Sequence, residues 1–229
     1  MRYEDLYNEW KNDPEKFWIN AAQNIDWIKF PSFALDSSNT PFYKWFPDGL
    51  VNTCYNAVDR HVIKGKGEKT AIIYDSAIRS VKEKITYSQL LERVTKFAHA
   101  MSNAGITKGD RVIIYMPMIP EAIVSMLACS RIGAIHSVVF GGFASNELAV
   151  RIDDAKPKAI IAGSCGIEPT SIIPYKPLLD KAIEQANHKP NFCVIFQRDE
   201  LQAPLVSNRD YDWYEFQKSS SECTCIPVF

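Results

Sequence analysis

The residues that could touch a ligand or carry a reaction fall in a few short stretches of the 229-residue sequence. Phe140-Gly141-Gly142-Phe143 follows an apolar run and precedes a helical pattern. Adjacent glycines let a ligand or another backbone approach closely, and a helix N-terminus behind them, with Ser145 as its expected N-cap, favours an anionic group. The pattern is not the dinucleotide fingerprint G-x-G-x-x-G, so it specifies no nucleotide by itself. Gly109-Asp110-Arg111-Val112 leads into Tyr115-Met116-Pro117-Met118-Ile119-Pro120-Glu121, where two prolines force a sharp turn between a strand and a helix. Ligands sit at such strand ends in parallel α/β sheets, but a rigid turn accounts for the prolines equally.

Ser164-Cys165-Gly166-Ile167-Glu168-Pro169 is another such turn. A nucleophilic Cys165 would need a base, and none of His61, His99, His136 or His188 is placed beside it by the sequence, so the stretch reads as structural. His136 lies in an apolar strand and reads as a core histidine. Lys64-Gly65-Lys66-Gly67-Glu68-Lys69 has glycines and lysines but not the spacing G-x-x-x-x-G-K-[ST], so it reads as a surface connection. Cys223 and Cys225 form a C-x-C without a second pair or a neighbouring histidine, which does not amount to a zinc site. The carboxylates show no pairing for acid–base work. The residues by themselves therefore assign no catalytic side chain and no metal ligand.

The elements that must position these loops alternate clearly. The spacing predicts a helical stretch through Val51, Cys54, Tyr55, Val58 and Val62, a strand over Thr70–Asp75 and a second one beginning at Lys84. Thr86 and Gln89 make a capping box for a long helix that stops at Gly105. Strands are then expected at Arg111–Met116, Ala134–Val139, Lys158–Gly163 and Phe192–Phe196, with helices at Glu121–Arg131, Asn146–Asp154 and Lys176–Asn187. Near-continuously apolar strands, each followed by an amphipathic helix, predict βαβ units and a parallel sheet covered on both faces. After Arg198 the chain is polar and reads as loop. Residues 1–50 are dense in aromatics and poor in aliphatics, with Asp13-Pro14 opening a helix, so their rings are expected to plug grooves on a larger body.

A net charge of -1 argues against a nucleic-acid or anionic-membrane surface. No apolar run approaches the roughly 20 residues of a membrane helix. The N-terminal MRYEDLYNEW has neither a secretory apolar core nor presequence character, and six scattered cysteines suit reduced thiols, so the expected setting is intracellular rather than secreted.

Several of these stretches carry a family likeness. YMPMIPEAIVSMLACSRIGAIHSVVFGGFASNELAVRIDDAKPK closely resembles the corresponding block of acetyl- and propionyl-CoA synthetases of the acyl-adenylate-forming superfamily. WFPDGLVNTCYNAVDRH, EKITYSQLLERV and GITKGDRV resemble the same enzymes, while SCGIEP, YKPLLDKAI and NRDYDW resemble the propionyl branch. FWINAAQNIDW is similar to the family's N-terminal cap, and the likeness covers essentially the whole chain.

The resemblance implies an α/β fold: the parallel-sheet, layered body of an adenylate-forming enzyme, incomplete, under an N-terminal helical and extended aromatic cap. It implies a cap segment at residues 1–50 and, at residues 51–229, the N-terminal part of the AMP-binding domain, stopping before the phosphate loop. The implied reaction joins propionate or acetate to CoA at the expense of ATP, with Mg²⁺, through an acyl-adenylate. Phe140, Gly141 and Gly142 would contact the pantetheine end of CoA. Arginines that hold CoA phosphates in the acetyl branch have no counterpart in GIEPTSII, where Ser171 stands at a position commonly Arg. The phosphate loop, the acyl and adenine pockets and the lysine-bearing domain have no counterpart either. The chain alone is therefore expected to be inactive, the alternative being a non-catalytic isoform that binds CoA or joins full-length subunits. Self-association through an exposed sheet edge is expected, in the cytoplasm or the mitochondrial matrix.

Overall fold

The computed structural model describes residues 2–221 and 223–228. Helices α1 (Tyr3–Asn12) and α2 (Pro14–Ala22) are divided at Asp13, whose carboxylate accepts from the Lys16 N–H at 3.0 Å while Pro14 takes the first helical position. Strands β1 (Leu35–Asp36) and β2 (Lys44–Trp45) pair antiparallel. Several rings of this region meet one another edge-on, Trp18 on Trp45 at 5.3 Å and Trp27 on Phe46 at 5.4 Å between centroids. Trp27 also lines a pocket with Tyr55, Asp59 and Arg131 of the body. What is buried here is small: Ala22, Pro31, Ala34 and Gly49. Flat rings make their best contacts with other rings, and Gly49 leaves room for one, since a Cβ there would lie 2.7 Å from Trp27.

The stretch from Asn52 is helical with widened turns over Tyr55–Asp59 and Val62–Lys66, the Arg60 N–H reaching back to the Tyr55 carbonyl. It buries Cys54 and Val58, and its exposed end carries the lysines and glycines of Lys64–Lys69 to a hairpin. That hairpin is β3 (Thr70–Ser76) against β4 (Val81–Thr86). β4 starts three residues earlier than its apolar content indicates, because Val81 pairs with Ser76 in register. Thr86 and Gln89 form the capping box of α3 (Tyr87–Asn103), whose inner face buries Leu90, Val94, Phe97 and Met101.

The remaining elements are β5 (Arg111–Met116), α4 (Pro120–Arg131), β6 (Ile135–Phe140), α5 (Ser145–Ala155), β7 (Ala159–Gly163), β8 (Cys165–Ile167), β9 (Ile172–Pro174), α6 (Tyr175–Gln185), β10 (Phe192–Phe196), β11 (Asp210–Asp212) and α7 (Trp213–Phe216). The main sheet has the order β11-β10-β7-β5-β6, every neighbour parallel. Successive residues of a strand feed opposite layers. Val112, Ile114 and Met116 of β5 join α3 and α4 in one core, and Ile113 and Tyr115 join α5 and α6 in the other. β6 is an edge strand, and Ile135, Val138 and Phe140 on it are exposed.

Two expectations need correction. The chain beyond Arg198 is not simply loop: it supplies the fifth strand, β11, and α7, whose Trp213 stacks on Phe97 with 4.0 Å between centroids. A three-residue strand, Asp-Tyr-Asp, has no apolar alternation for pattern reading to find. Ser145 is the first residue of α5 rather than its cap. The Ala144 carbonyl takes the first helical bond, from Leu148, and no side chain caps the helix. The 223–228 segment returns to the body. The Ile226 N–H donates to the Arg131 carbonyl at 2.8 Å, and Val51 and Val228 exchange backbone bonds of 2.9 Å. Asn52 Nδ2 donates to the carbonyls of Ser130, Arg131 and Ile226 at 3.0, 3.1 and 2.7 Å. Among the described residues no helix is long and apolar enough to cross a membrane.

Candidate functional site

The loops singled out above converge. At the C-terminal ends of β5, β6 and β7, the Pro117–Ile119 turn, the Phe140–Gly142 loop and Gly166–Glu168 line one cleft of about 320 Å³. Its walls mix polar surface with the apolar side chains of Pro117, Met118, Ile119, Phe140, Ile167 and Ile173. Tyr175, the first residue of α6, forms the floor. A Cβ on Gly141 would come within 2.6 Å of the Tyr175 ring and 2.9 Å of the Met116 carbonyl, and one on Gly166 would collide with the Tyr175 hydroxyl. These glycines are what let three backbones close around one ring. Gly142 has φ +92°, a conformation that L side chains rarely adopt.

Tyr115 fixes the glycine loop from beneath. Its Oη donates to the Phe143 carbonyl at 2.9 Å and accepts from the Gly142 N–H at 3.2 Å. Burial pushes its phenol up to about 12, so it stays protonated and makes both bonds at neutral pH. Ser164, wholly buried, holds the next loop: its N–H donates to the Phe196 carbonyl at 2.9 Å and its carbonyl accepts from the Tyr175 N–H at 3.0 Å. The helix behind the glycine loop, α5, presents its N-terminus at this end of the sheet.

Arg198, just beyond β10, also lines the cleft. Its Nη1 donates to the Cys165 carbonyl at 3.2 Å, and its Nε lies 3.9 Å from Glu200 Oε2. Arg79, from the β3–β4 turn, pairs with the same Glu200 and lies 3.5 Å from Asp199. Sequence reasoning missed both arginines because neither adjoins a glycine turn; register and topology bring them here. Cys165 is buried, and burial pushes its thiol up, so it presents no thiolate to the cleft. The histidines lie elsewhere: His61 packs on Tyr87, His99 meets Ser221, His188 meets the Pro157 carbonyl, and His136 sits half-buried on β6. Burial holds the His136 imidazole below its ordinary value.

A larger groove, about 770 Å³, runs between α3, α4 and α7. Arg93 pairs there with Glu83 at 2.8 Å and Lys96 with Glu92 at 2.6 Å, and none of the glycine loops reaches it. We assign the smaller cleft as the candidate site on chemistry rather than size.

The family model for AMP-binding enzymes matches residues 59–223. The chain belongs to this family. A second model, the acetyl-coenzyme A synthetase N-terminus, matches residues 3–57. Human acyl-CoA synthetase short-chain family member 3, mitochondrial, is 49% identical over 217 residues, covering 94% of this chain and 32% of that protein. The propionate–CoA ligase of Escherichia coli K12 is 45% identical over 213 residues, 93% of this chain and 34% of that one. An acetyl-coenzyme A synthetase of Desulfatibacillum aliphaticivorans is 43% identical over 225 residues, 97% of this chain and 34% of its own. The chain thus spans about a third of the length of the curated relatives it matches and corresponds to their N-terminal portion.

Proposed function

We propose that these residues form the coenzyme-facing, N-terminal portion of an ATP-dependent short-chain acyl-CoA ligase. In the complete reaction a carboxylate, propionate or acetate, attacks the α-phosphate of ATP to give an acyl-adenylate and pyrophosphate, and the CoA thiol then displaces AMP. The propionate branch is supported by SCGIEP, YKPLLDKAI and NRDYDW, which build β8, α6 and β11. Residues 1–50 act as a cap on the body from residue 51 onward. A mitochondrially named relative supports the mitochondrial matrix as the compartment, with the cytoplasm as the alternative.

The observation that carries this reading is the cleft at Phe140–Gly142. It lies at the strand ends and offers both apolar side chains and polar backbone, which suits the alternating methylene and amide groups of a pantetheine arm. Arg198 is the cationic residue lining the cleft, and Ser171 supplies none. Mg²⁺ requires oxygen ligands. The one cluster of candidate metal ligands among the described residues is Cys54, Asp59 and Cys225, which does not fit that ion.

The adenylation step draws on backbone donors of a glycine-rich loop, a metal and a lysine, each donor worth about 2.7–4 kcal/mol of barrier. No glycine follows Gly166, and Lys64–Lys69 lies on an exposed helical end outside the cleft. The 229-residue polypeptide is therefore expected to bind CoA and pantetheine yet release no pyrophosphate from ATP, Mg²⁺ and propionate. Calorimetric titration tests the first part. Gly142→Trp should weaken both ligands by roughly tenfold or more, and Phe140→Ala, at an exposed ring, should weaken them without a folding defect. Unchanged affinity in both variants sinks the site; carboxylate-dependent pyrophosphate release overturns the inactivity.

A second reading rests on the exposed apolar residues of β6. A non-catalytic chain that binds CoA or docks on full-length subunits would use that edge.

A further inference from the structure

We propose that Cys54 and Cys225 form a reversible disulfide that locks the 223–228 segment onto the body of the fold. The proposal is independent of the CoA reading and concerns the opposite end of the sheet's helical layer.

The two sulfur atoms and a carboxylate oxygen of Asp59 all lie within 4.8 Å of one another. Cys54 is fully buried at the start of the widened helical turns, while Cys225 is half-buried on the returning segment. Each lies the same number of residues from the bridge that joins Val51 to Val228, so that antiparallel pairing brings the cysteines face to face. Asn52, Arg131 and Ile226 hold the two strands of this seam with backbone carbonyl bonds. These bonds bring the two segments together, and the sulfurs must then close to the bonding distance of about 2.05 Å.

The surroundings suit thiol oxidation. Arg131 places Nη1 3.6 Å from Cys54 Sγ while its guanidinium grips both Asp59 oxygens at 2.8 and 3.0 Å. Contact with Cys225 and the Arg131 charge hold the Cys54 thiol below the ordinary range, and the second proton of the pair is correspondingly hard to remove. Of the two thiols, Cys54 is therefore the one that gives up its proton more readily. Cys225 and Arg131 also line an open pocket of about 440 Å³, with Asp26, Trp27 and Tyr55, which admits a small oxidant. A metal is the poorer occupant, because Asp59 is fully engaged and a fixed guanidinium repels a cation.

With hydrogen peroxide as oxidant the step balances. The thiolate attacks one peroxide oxygen, the O–O bond breaks, and the leaving hydroxide is protonated to water. The resulting sulfenic acid is attacked by the second thiol, the S–S bond forms, and a second water leaves. Both sulfurs are oxidised, both peroxide oxygens are reduced, and an external dithiol reverses the change.

The experiment treats the intact chain with stoichiometric peroxide, then counts thiols after denaturation and maps the peptides. Two of the six thiols should be lost, with the Cys54 and Cys225 peptides linked. Cys223→Ser should keep the cross-link, while Cys54→Ser and Cys225→Ser should each abolish it. Closing so long a loop should raise the wild-type melting temperature by roughly 5–10 °C, reversed by dithiothreitol. Retention of all six thiols, a Cys223–Cys225 or intermolecular link, or the same thiol loss in Cys225→Ser would overturn the assignment. The peptide map of the wild type needs no variant, so a misfolded Cys54→Ser would not rescue it.

Discussion

Asp210 shows how much a single buried carboxylate carries. It accepts from Lys176 Nζ at 2.9 Å, from Arg209 Nε at 2.6 Å and Nη2 at 2.9 Å, and from the Val206 N–H at 2.8 Å. Lys176 is itself buried and shares its charge with Asp180 at 2.6 Å. Burial alone would push the Asp210 carboxyl up, but the bonds from Arg209, Lys176 and Val206 outweigh it and hold the group below its ordinary value. A depressed folded value gives stability that is complete above the unfolded value of 3.8 and is lost as the pH falls below it towards the folded one. Asp210→Asn should therefore cost about 3–5 kcal/mol at neutral pH, where it leaves Lys176 under-compensated, and should flatten the acid limb of the stability curve. Denaturant melts across that range check both; an unaltered acid limb would remove Asp210 as its source.

At the scale of elements, α7 has a role out of proportion to its length. Trp213 is buried between Phe97 of α3 and Phe196 of β10, stacked on the first and edge-on to the second at 5.9 Å. Trp213→Ala should cost about 3–5 kcal/mol, read by urea denaturation, and a loss below 1 kcal/mol would mean that the tail does not complete this core. The parallel sheet was legible beforehand because β5, β7 and β10 are unbroken apolar runs between amphipathic helices. β11 was not, since Asp210 and Asp212 flank one tyrosine, the first held by Lys176 of α6 and by Arg209 and the second capping α7. The same contrast holds in the cleft. Phe140, Gly141 and Gly142 announce themselves as adjacent glycines past a strand, whereas Tyr175 and Arg198 reach the cleft through packing that no local pattern encodes. The aromatic N-terminal stretch was legible as a separate texture, but the ring-on-ring pairs such as Trp18 with Trp45 were not, because ring density says that rings will be packed and not on what.

For the molecule as a whole, β6 is the exposed edge of the main sheet. Ile135, Val138 and Phe140 are 55%, 52% and 71% exposed on a strand with one free side. The 229-residue polypeptide should therefore associate as its concentration rises, and Val138→Lys should suppress this by placing a charge on the edge. Sedimentation velocity distinguishes the outcomes, and a strictly monomeric wild type would dismiss the edge as a contact surface. The seam of Val51, Asn52, Ile226 and Val228 has a different consequence. It joins distant parts of the chain through the Val51–Val228 bridge, the side chain of Asn52 and the bond from the Ile226 N–H to the Arg131 carbonyl. Such a contact has the largest loop-closure entropy in the fold and little buried apolar surface to offset it. In deuterated solvent the amides of Val51, Ile226 and Val228 should exchange by local opening, well before those of β5, β7 and β10, whose protons leave only when the whole sheet comes apart. The fold would then breathe at its seam while its centre stays shut.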